Sequence, residues 1–147
     1  MNYGEVLAKV FNRELVIYKS FGSYQGDFIA ITRDSNKYYI YKGCYGSCSG
    51  CDSLESFISN NCNYDSSSFT LDLMKTFVGE EDYTPFIEVD KEVFERLLNE
   101  RDLKSILPAN TRLNFDNDDY EDMTDAEVMK EIEDEILTLD VGELDET

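Results

Sequence analysis

The stretch DFIAITRDSNKYYIYK, residues 27–42, decides the fold expected for this chain. Its two flanks, 27–33 and 37–42, are rich in β-branched and aromatic residues, which are typical of strands. The Asp-Ser-Asn sequence at 34–36 favours a compact turn, because such side chains hydrogen-bond to nearby backbone groups. The stretch therefore predicts a β-hairpin at the centre of a small antiparallel sheet.

The sequence around the hairpin predicts one further strand and several helices. An amphipathic helix at 3–12 and a strand at 15–18 come first, followed by a glycine-containing turn at 21–27. Loops are predicted at 43–52, 60–68 and 79–89, and a strand at 111–115. One helix is predicted at 54–59, capped by Asp52 or Ser53, and another at 69–78, capped by Ser67 or Ser68. A third helix, capped by Asp90, runs from 91 to 100 or as far as 107.

The predicted helix at 124–138 has the most specific pattern in the chain. Thr124 and Glu127 have the spacing of a capping box. The apolar residues of one face are Val128, Met129, Ile132 and Ile136. The acids on the opposite side are Glu127, Glu131, Asp134 and Glu135. We therefore expect this helix to dock by its apolar face and to present a row of carboxylates to water.

Charge is divided unevenly along the chain. The net charge is -19 over 147 residues, a length that suits one domain. Residues 1–79 hold eight acids and seven bases, whereas residues 80–147 hold twenty-four acids and six bases. We therefore expect one α+β domain over 1–147, with a near-neutral α+β part at 1–79 and a helical, highly acidic part at 80–147.

The acidity favours a basic partner. DNA carries one negative charge per ~1.7 Å of axis, and proteins bind it with grooves of Lys and Arg, which closely spaced carboxylates can occupy. We therefore expect a stoichiometric inhibitor that blocks the nucleic-acid groove of a basic host nuclease, such as a CRISPR effector, and that does not itself bind nucleic acid. The residues expected to contact the partner are Asp116, Asp118, Asp119, Tyr120, Glu121, Asp122, Glu127, Glu131, Asp134 and Glu135.

Two other interpretations of the acidic residues stay open. One is a solvated tail that aids solubility. The other is a calcium loop at 116–127, with Asp116, Asp118 and Glu127 at ligand positions. Against calcium, Glu121 stands where such a loop needs glycine, and Tyr120 at another ligand position is a poor ligand.

Four cysteines form a candidate metal site: Cys44, Cys48, Cys51 and Cys62. Four thiolates can hold zinc tetrahedrally, and Cys48-x-x-Cys51 has the usual spacing of one ligand pair. Cys44 is too near this pair and Cys62 stands alone, so a Gly-Ser turn with packed or free thiols and no cofactor is the alternative. A loop stabilised by zinc or by its turn would indicate a protein-binding module rather than a nucleic-acid mimic.

The composition argues against an enzyme. The chain has no histidine, which removes the commonest general base and any Ser-His or Cys-His nucleophile pair. The glycines of the predicted loop at 43–52 are not followed by the Gly-Lys-Ser/Thr of a phosphate-binding loop. The first residues lack the pattern of a signal peptide, and no stretch approaches the ~20 apolar residues that span a bilayer. We therefore expect a soluble, cytoplasmic, non-catalytic protein.

Two motifs, GSYQGD at 22–27 and YGSCSGCD at 45–52, resemble those of small proteins of bacteria and their phages. The resemblance covers about residues 20–60 and implies an origin in bacteria or phage, with the host cytoplasm as the compartment. In size and acidity the chain is also similar to phage inhibitors of host nucleases, anti-CRISPR proteins and other DNA mimics among them. This similarity implies the inhibitory function that the charge pattern also predicts.

Overall fold

The computed structural model describes residues 2–22, 26–46, 53–107 and 125–138. Its strands are β1 (Glu14–Gly22), β2 (Gly26–Arg33), β3 (Lys37–Tyr45) and β4 (Ile87–Asp90). Its helices are α1 (Tyr3–Val10), α2 (Ser53–Cys62), α3 (Leu71–Glu81), α4 (Lys91–Asn99) and α5 (Asp125–Leu137), with short 3-10 helices at Ser66–Ser68 and Leu103–Ile106. The predicted α+β class, with its antiparallel sheet and N-terminal helix, is confirmed.

β2 and β3 form the hairpin that the central stretch predicts. Asp34 stabilises the turn, because its Oδ1 accepts hydrogen bonds from the backbone N–H groups of Asn36 and Lys37, both at 2.8 Å. Its Oδ2 accepts a further hydrogen bond from the hydroxyl of Tyr39 at 2.7 Å. The whole sheet is antiparallel with strand order β1-β2-β3-β4.

Helices cover both faces of this sheet. Side chains alternate along a strand, so Ile31 and Tyr38 belong to one core cluster while Phe28 and Tyr39 belong to another. The first cluster joins the sheet to α4 and α5, and the second joins it to α1, α2 and α3. β2 is buried along its whole length as a result. The sequence predicts cover from the N-terminal helix and the C-terminal half, and the structure adds α2 and α3 to the face of α1.

The sheet is larger than the sequence predicts. β1 continues to Gly22 inside the predicted turn, and β3 continues to Tyr45 inside the predicted loop at 43–52. The predicted loop at 79–89 is also wrong, because α3 extends to Glu81 and β4 begins at Ile87. Ile87 is buried opposite Ile40 of β3. Four residues are too short a run for alternation to reveal a strand, so tertiary pairing determines β4.

Two helices end earlier than the sequence predicts. α1 ends at Val10 and α4 ends at Asn99, instead of continuing to 12 and to 100–107. After each helix, three backbone N–H groups bond back to carbonyls of the last turn. The chain then turns away through a residue with a φ of 54°, Asn12 in one case and Arg101 in the other. Glycine is the usual residue at such a position, so Arg101 gives no sequence signal for the end of α4.

The start of α3 also differs from the prediction. Thr70 is its N-cap, and Thr70 Oγ1 accepts a hydrogen bond from Leu73 N–H at 3.3 Å. The predicted caps at 67 and 68 are instead part of the 3-10 helix that Asp65 caps. α2 continues to Cys62, which shortens the predicted loop at 60–68. The predicted strand at 111–115 and the predicted caps at 52 and 124 lie outside the described residues.

Candidate functional site

α5 docks on the sheet as its sequence pattern predicts. The residues of its apolar face, each exposed by 1% or less, are Val128, Met129, Ile132 and Ile136. They belong to the core cluster that contains Ile17 of β1 and Leu103 of the second 3-10 helix. Complete burial of four large side chains fixes the rotation of the helix, and it therefore also fixes the direction of its polar face.

The carboxylates of that polar face do not form the uniform row that the sequence predicts. Lys19 Nζ of β1 lies 3.2 Å from Glu131 Oε1 and 3.0 Å from Glu135 Oε2. Arg101 Nη1 lies 2.8 Å from Asp134 Oδ1. Three of the four predicted partner-binding acids of α5 therefore already contact a cation of their own chain. Helix periodicity cannot reveal these pairs, because both cations come from segments distant in sequence.

The lysine between the two glutamates is held in its charged form. The hydrogen bond to Glu135 raises the pKa of Lys19, and Glu131 adds to this effect against the opposing effect of burial. A single lysine cannot neutralise two carboxylates, so this cluster keeps an excess negative charge. The pairing positions Glu131 and Glu135 beside β1 without removing their acidity.

A fifth acid of α5 is turned inward. Glu133 is only 4% exposed, and its Oε1 accepts a hydrogen bond from the backbone N–H of Leu103. The carboxylate therefore satisfies the first backbone donor of the 3-10 helix Leu103–Ile106. Glu133 holds the segment after α4 against α5 and is not part of the presented acidic surface.

The surface around α5 stays negative after these internal pairs are counted. Residues 125–137 contain six acids and one base, Lys130. Glu133 is buried, so the described acids on the outer side of α5 are Glu127, Glu131, Asp134 and Glu135. Against the three cations Lys130, Lys19 and Arg101 they leave one negative charge in excess. We call the carboxylates of Glu127, Glu131, Asp134 and Glu135 the α5 acidic face.

Positive charge lies beside one end of this face. A cavity of about 260 Å³ is lined by the basic side chains of Arg101, Lys104 and Lys130, together with Glu127 and Glu133. Three of the six bases of the acidic half therefore gather next to Glu127. The α5 acidic face is consequently bounded on this side by cations, and its excess negative charge lies at Glu131 and Glu135, which share the single cation Lys19.

The other predicted partner-binding residues lie outside the part of the chain that the structure describes. They are Asp116, Asp118, Asp119, Tyr120, Glu121 and Asp122. The same holds for most of the predicted calcium loop at 116–127, of which the structure describes only the start of α5.

The candidate zinc ligands divide between very different environments. Cys44 is an exposed residue of β3, and Cys62 is a buried residue at the end of α2. Cys62 belongs to the apolar cluster that contains Leu54 and Phe69. Cys48 and Cys51 lie outside the described residues, and the described ones contain no group of three or more Cys, Asp or Glu residues placed to hold a metal. The four-cysteine site stays a prediction.

A second, larger cavity lies on the α1–α3 side of the sheet and was not indicated by any sequence motif. Its volume is about 480 Å³, and the tyrosines that line it are Tyr3, Tyr18, Tyr45 and Tyr64. Four tyrosines from α1, β1, β3 and the segment after α2 come together only through the tertiary fold. The abundance of tyrosine, ten residues in the chain, was the one available signal, and it does not distinguish core from site.

Within the described ranges, no helix has both the length and the apolar character needed to cross a membrane. Comparisons with models of protein families, with curated proteins and with solved structures find no match.

Proposed function

We propose that this protein is a stoichiometric inhibitor that uses the α5 acidic face to occupy the basic nucleic-acid groove of a host nuclease, such as a CRISPR effector. The observation that carries the proposal is the rigid docking of α5. Its four apolar side chains are exposed by 1% or less, so its carboxylates project from a fixed surface. The protein acts by binding and not by catalysis.

Rigid presentation favours a binding surface over a solvated acidic tail. A disordered tail loses conformational entropy when it binds, whereas a helix that is already folded has lost most of it. The thirteen residues of α5 extend about 20 Å, comparable to about twelve phosphate charges of duplex DNA. An acidic surface of this length matches the scale of a groove that contacts a short nucleic-acid segment.

The internal ion pairs are compatible with binding to a basic partner. The Arg101–Asp134 pair is more than half exposed on both sides, and pairs of this kind contribute ~0–1 kcal/mol to stability. Asp134 can therefore exchange Arg101 for a cation of the partner at little cost. The side chain of Glu135 is 41% exposed beside Lys19, so it stays accessible to an incoming Lys or Arg.

The proposal is tested with neutral substitutions on the α5 acidic face. The variant Glu127→Gln/Asp134→Asn removes two negative charges at exposed positions and leaves the buried face of α5 intact. Protein immobilised on resin captures partners from a bacterial lysate at low salt, and bound proteins are released at high salt. We expect wild type to capture a basic nucleic-acid-binding protein, and the double variant to retain it about tenfold less, because electrostatic complementarity drives association.

The matched control is Glu80→Gln/Glu81→Gln, at two exposed positions near the end of α3. It changes the net charge by the same amount at a different place. Equal loss with both double variants would show that total charge matters and that α5 is not the interface. Capture of a neutral partner that high salt does not release would contradict the proposal.

A further inference from the structure

The larger cavity has the size and the composition of a small-ligand site. Its volume of about 480 Å³ lies within the ~300–1,000 Å³ typical of ligand pockets. It lies between α1, β1 and α2, on the opposite face of the sheet from α5. Leu54 and Ile58 add apolar surface, and Ser20 and Ser59 add hydroxyl groups. The cavity is thus separate from the α5 acidic face.

Two of its aromatic walls are held rigidly. The ring of Tyr3 stacks on Phe28 with centroids 4.7 Å apart, and the Tyr3 hydroxyl accepts a hydrogen bond from Leu54 N–H at 3.2 Å. The ring of Tyr18 lies 5.3 Å from the same Phe28. Since Phe28 is fully buried, both tyrosine rings have little freedom to close the cavity.

The rim is formed by an aromatic residue in an unusual conformation. Tyr64 is 82% exposed and has a φ of 66°, directly after Asn63 with a φ of 49°. A bulky residue in the left-handed region is uncommon, and such strain concentrates at ligand sites. Packing in the core does not account for Tyr64, because most of its ring lies in solvent. The backbone instead places this ring beside the cavity mouth.

The charge of the lining selects the class of ligand. Among the described residues that line the cavity, Glu55 carries the one formal charge. A carboxylate and the negative faces of several tyrosine rings attract cations and disfavour phosphate or carboxylate ligands. We propose that this cavity binds an organic cation, a guanidinium or alkylated ammonium group, between the tyrosine rings and the carboxylate of Glu55. The cation belongs either to a free small molecule or to a basic side chain of a protein.

Titrations with defined probes test this inference on the full-length protein. Tyrosine fluorescence reports binding, since the chain has no tryptophan. The small-molecule probes are choline and N-acetylarginine amide, and the protein-like probe is a short peptide with one central arginine. The neutral isostere of choline, 3,3-dimethyl-1-butanol, separates charge from shape. We expect at least one cationic probe to give saturable binding. If choline binds, its neutral isostere should bind at least about threefold more weakly.

Substitutions identify the cavity as the site. Tyr64→Ala, at an exposed residue, should lower the affinity for the cationic probe by about threefold or more. Tyr64→Phe should keep that affinity, because the aromatic ring is kept. Glu55→Gln should lower the affinity for the cationic probe and leave the affinity for the neutral isostere unchanged. Phe86→Ala, at an exposed aromatic residue on the approach to β4, is the matched control and should have no effect.

The probes also distinguish the source of the cation. Saturation by the small probes alone indicates a free ligand, and saturation by the peptide alone indicates a side chain of a protein partner. The inference is overturned if no cationic probe saturates below about 10 mM. It is equally overturned if choline and its isostere bind alike, or if Tyr64→Ala and Phe86→Ala have the same effect.

Discussion

Lys19 Nζ lies 3.0 Å from Glu135 Oε2, which connects edge strand β1 to the polar side of α5. The apolar side of the helix is buried in the same region, so α5 is anchored by both of its faces. The ion pair adds a polar contact to the burial that already fixes the rotation of the helix. It also means that the surface proposed to bind a basic partner is partly organised by a base of this chain.

Lys19→Gln should lower the free energy of unfolding by about 0.5–1 kcal/mol, the upper range for a partly exposed pair. Its removal leaves Glu131 and Glu135 facing each other without a cation. Lys75→Gln, at an exposed position of α3, is the matched control and should change stability by less. Urea denaturation at low salt measures both. Equal effects of the two substitutions would contradict a specific role for Lys19.

The contribution of Lys19 should also depend on pH in a defined direction. Its pKa is raised above the ordinary 10.5 by Glu135, so the stabilisation is fully present below pH 10.5 and is lost as pH rises through the folded-state value. The stability difference between wild type and Lys19→Gln should therefore be constant from pH 7 to about 9 and shrink above 10.5. A difference that grows with pH would have the wrong sign.

Gly43 and Gly79 should respond oppositely to alanine. A Cβ on Gly43 would lie 2.5 Å from Phe28 Cζ on the paired strand, and that ring is buried against Tyr3. Gly43→Ala should therefore destabilise the protein by about 1–3 kcal/mol. Gly79→Ala meets no atom within 4 Å and lies in α3, so it should stabilise by about 0.5–1 kcal/mol. Urea denaturation of both variants checks the signs, and a stabilised Gly43→Ala would show that Phe28 can move.

Asp34 should make the hairpin sensitive to acid. Burial opposes its ionisation, but hydrogen bonds from Tyr39 and from the N–H groups of Asn36 and Lys37 lower the pKa of Asp34 below the ordinary 3.8. Its stabilisation is present above pH 3.8 and is lost as pH falls through the folded-state value.

Asp34→Ala should therefore cost about 1–2 kcal/mol at pH 7 and less at pH 2–3. Ser35→Ala, at an exposed position of the same turn, is the control and should cost little at either pH. Thermal unfolding of both variants at the two pH values provides the measurement. A cost for Asp34→Ala that does not change with pH would show that the carboxylate charge is not involved.

Purified protein should contain much less than one zinc per chain. The reason is the packing of Cys62, whose side chain is 6% exposed among apolar residues of the second core cluster. Elemental analysis and melting with and without a chelator provide the test. One zinc per chain, with a lower melting temperature after chelation, would instead support a zinc-stabilised binding module.

The sequence predicted those elements whose signals lie within the element itself. The turn at Asp34 has its own hydrogen-bonding side chain, and α5 has a complete apolar stripe, so hairpin and helix were both predicted. β4 and the end of α4 depend on other parts of the chain. β4 is a strand because Ile87 pairs with Ile40, and α4 ends through Arg101 in a conformation that usually indicates glycine.

The candidate sites were predictable to the extent that they lie on one element. The buried and polar faces of α5 follow from periodicity, but the pairing of Glu131 and Glu135 with Lys19 does not. Burial of Glu133 depends on a backbone N–H in a separate segment. The tyrosine cavity combines four segments, and a single sequence does not show which tyrosines meet.

The central claim is that the α5 acidic face competes with nucleic acid for a basic groove. The most direct measurement uses the partner protein captured from lysate, with labelled DNA bound to it. This complex is titrated with wild type or with Glu127→Gln/Asp134→Asn, at low and at high salt, and the fraction of DNA that stays bound is measured. We predict that wild type displaces DNA at one protein per partner at low salt, and that high salt or the double variant weakens displacement about tenfold. DNA that stays bound at saturating protein, or equal displacement by wild type and the double variant, would contradict the claim.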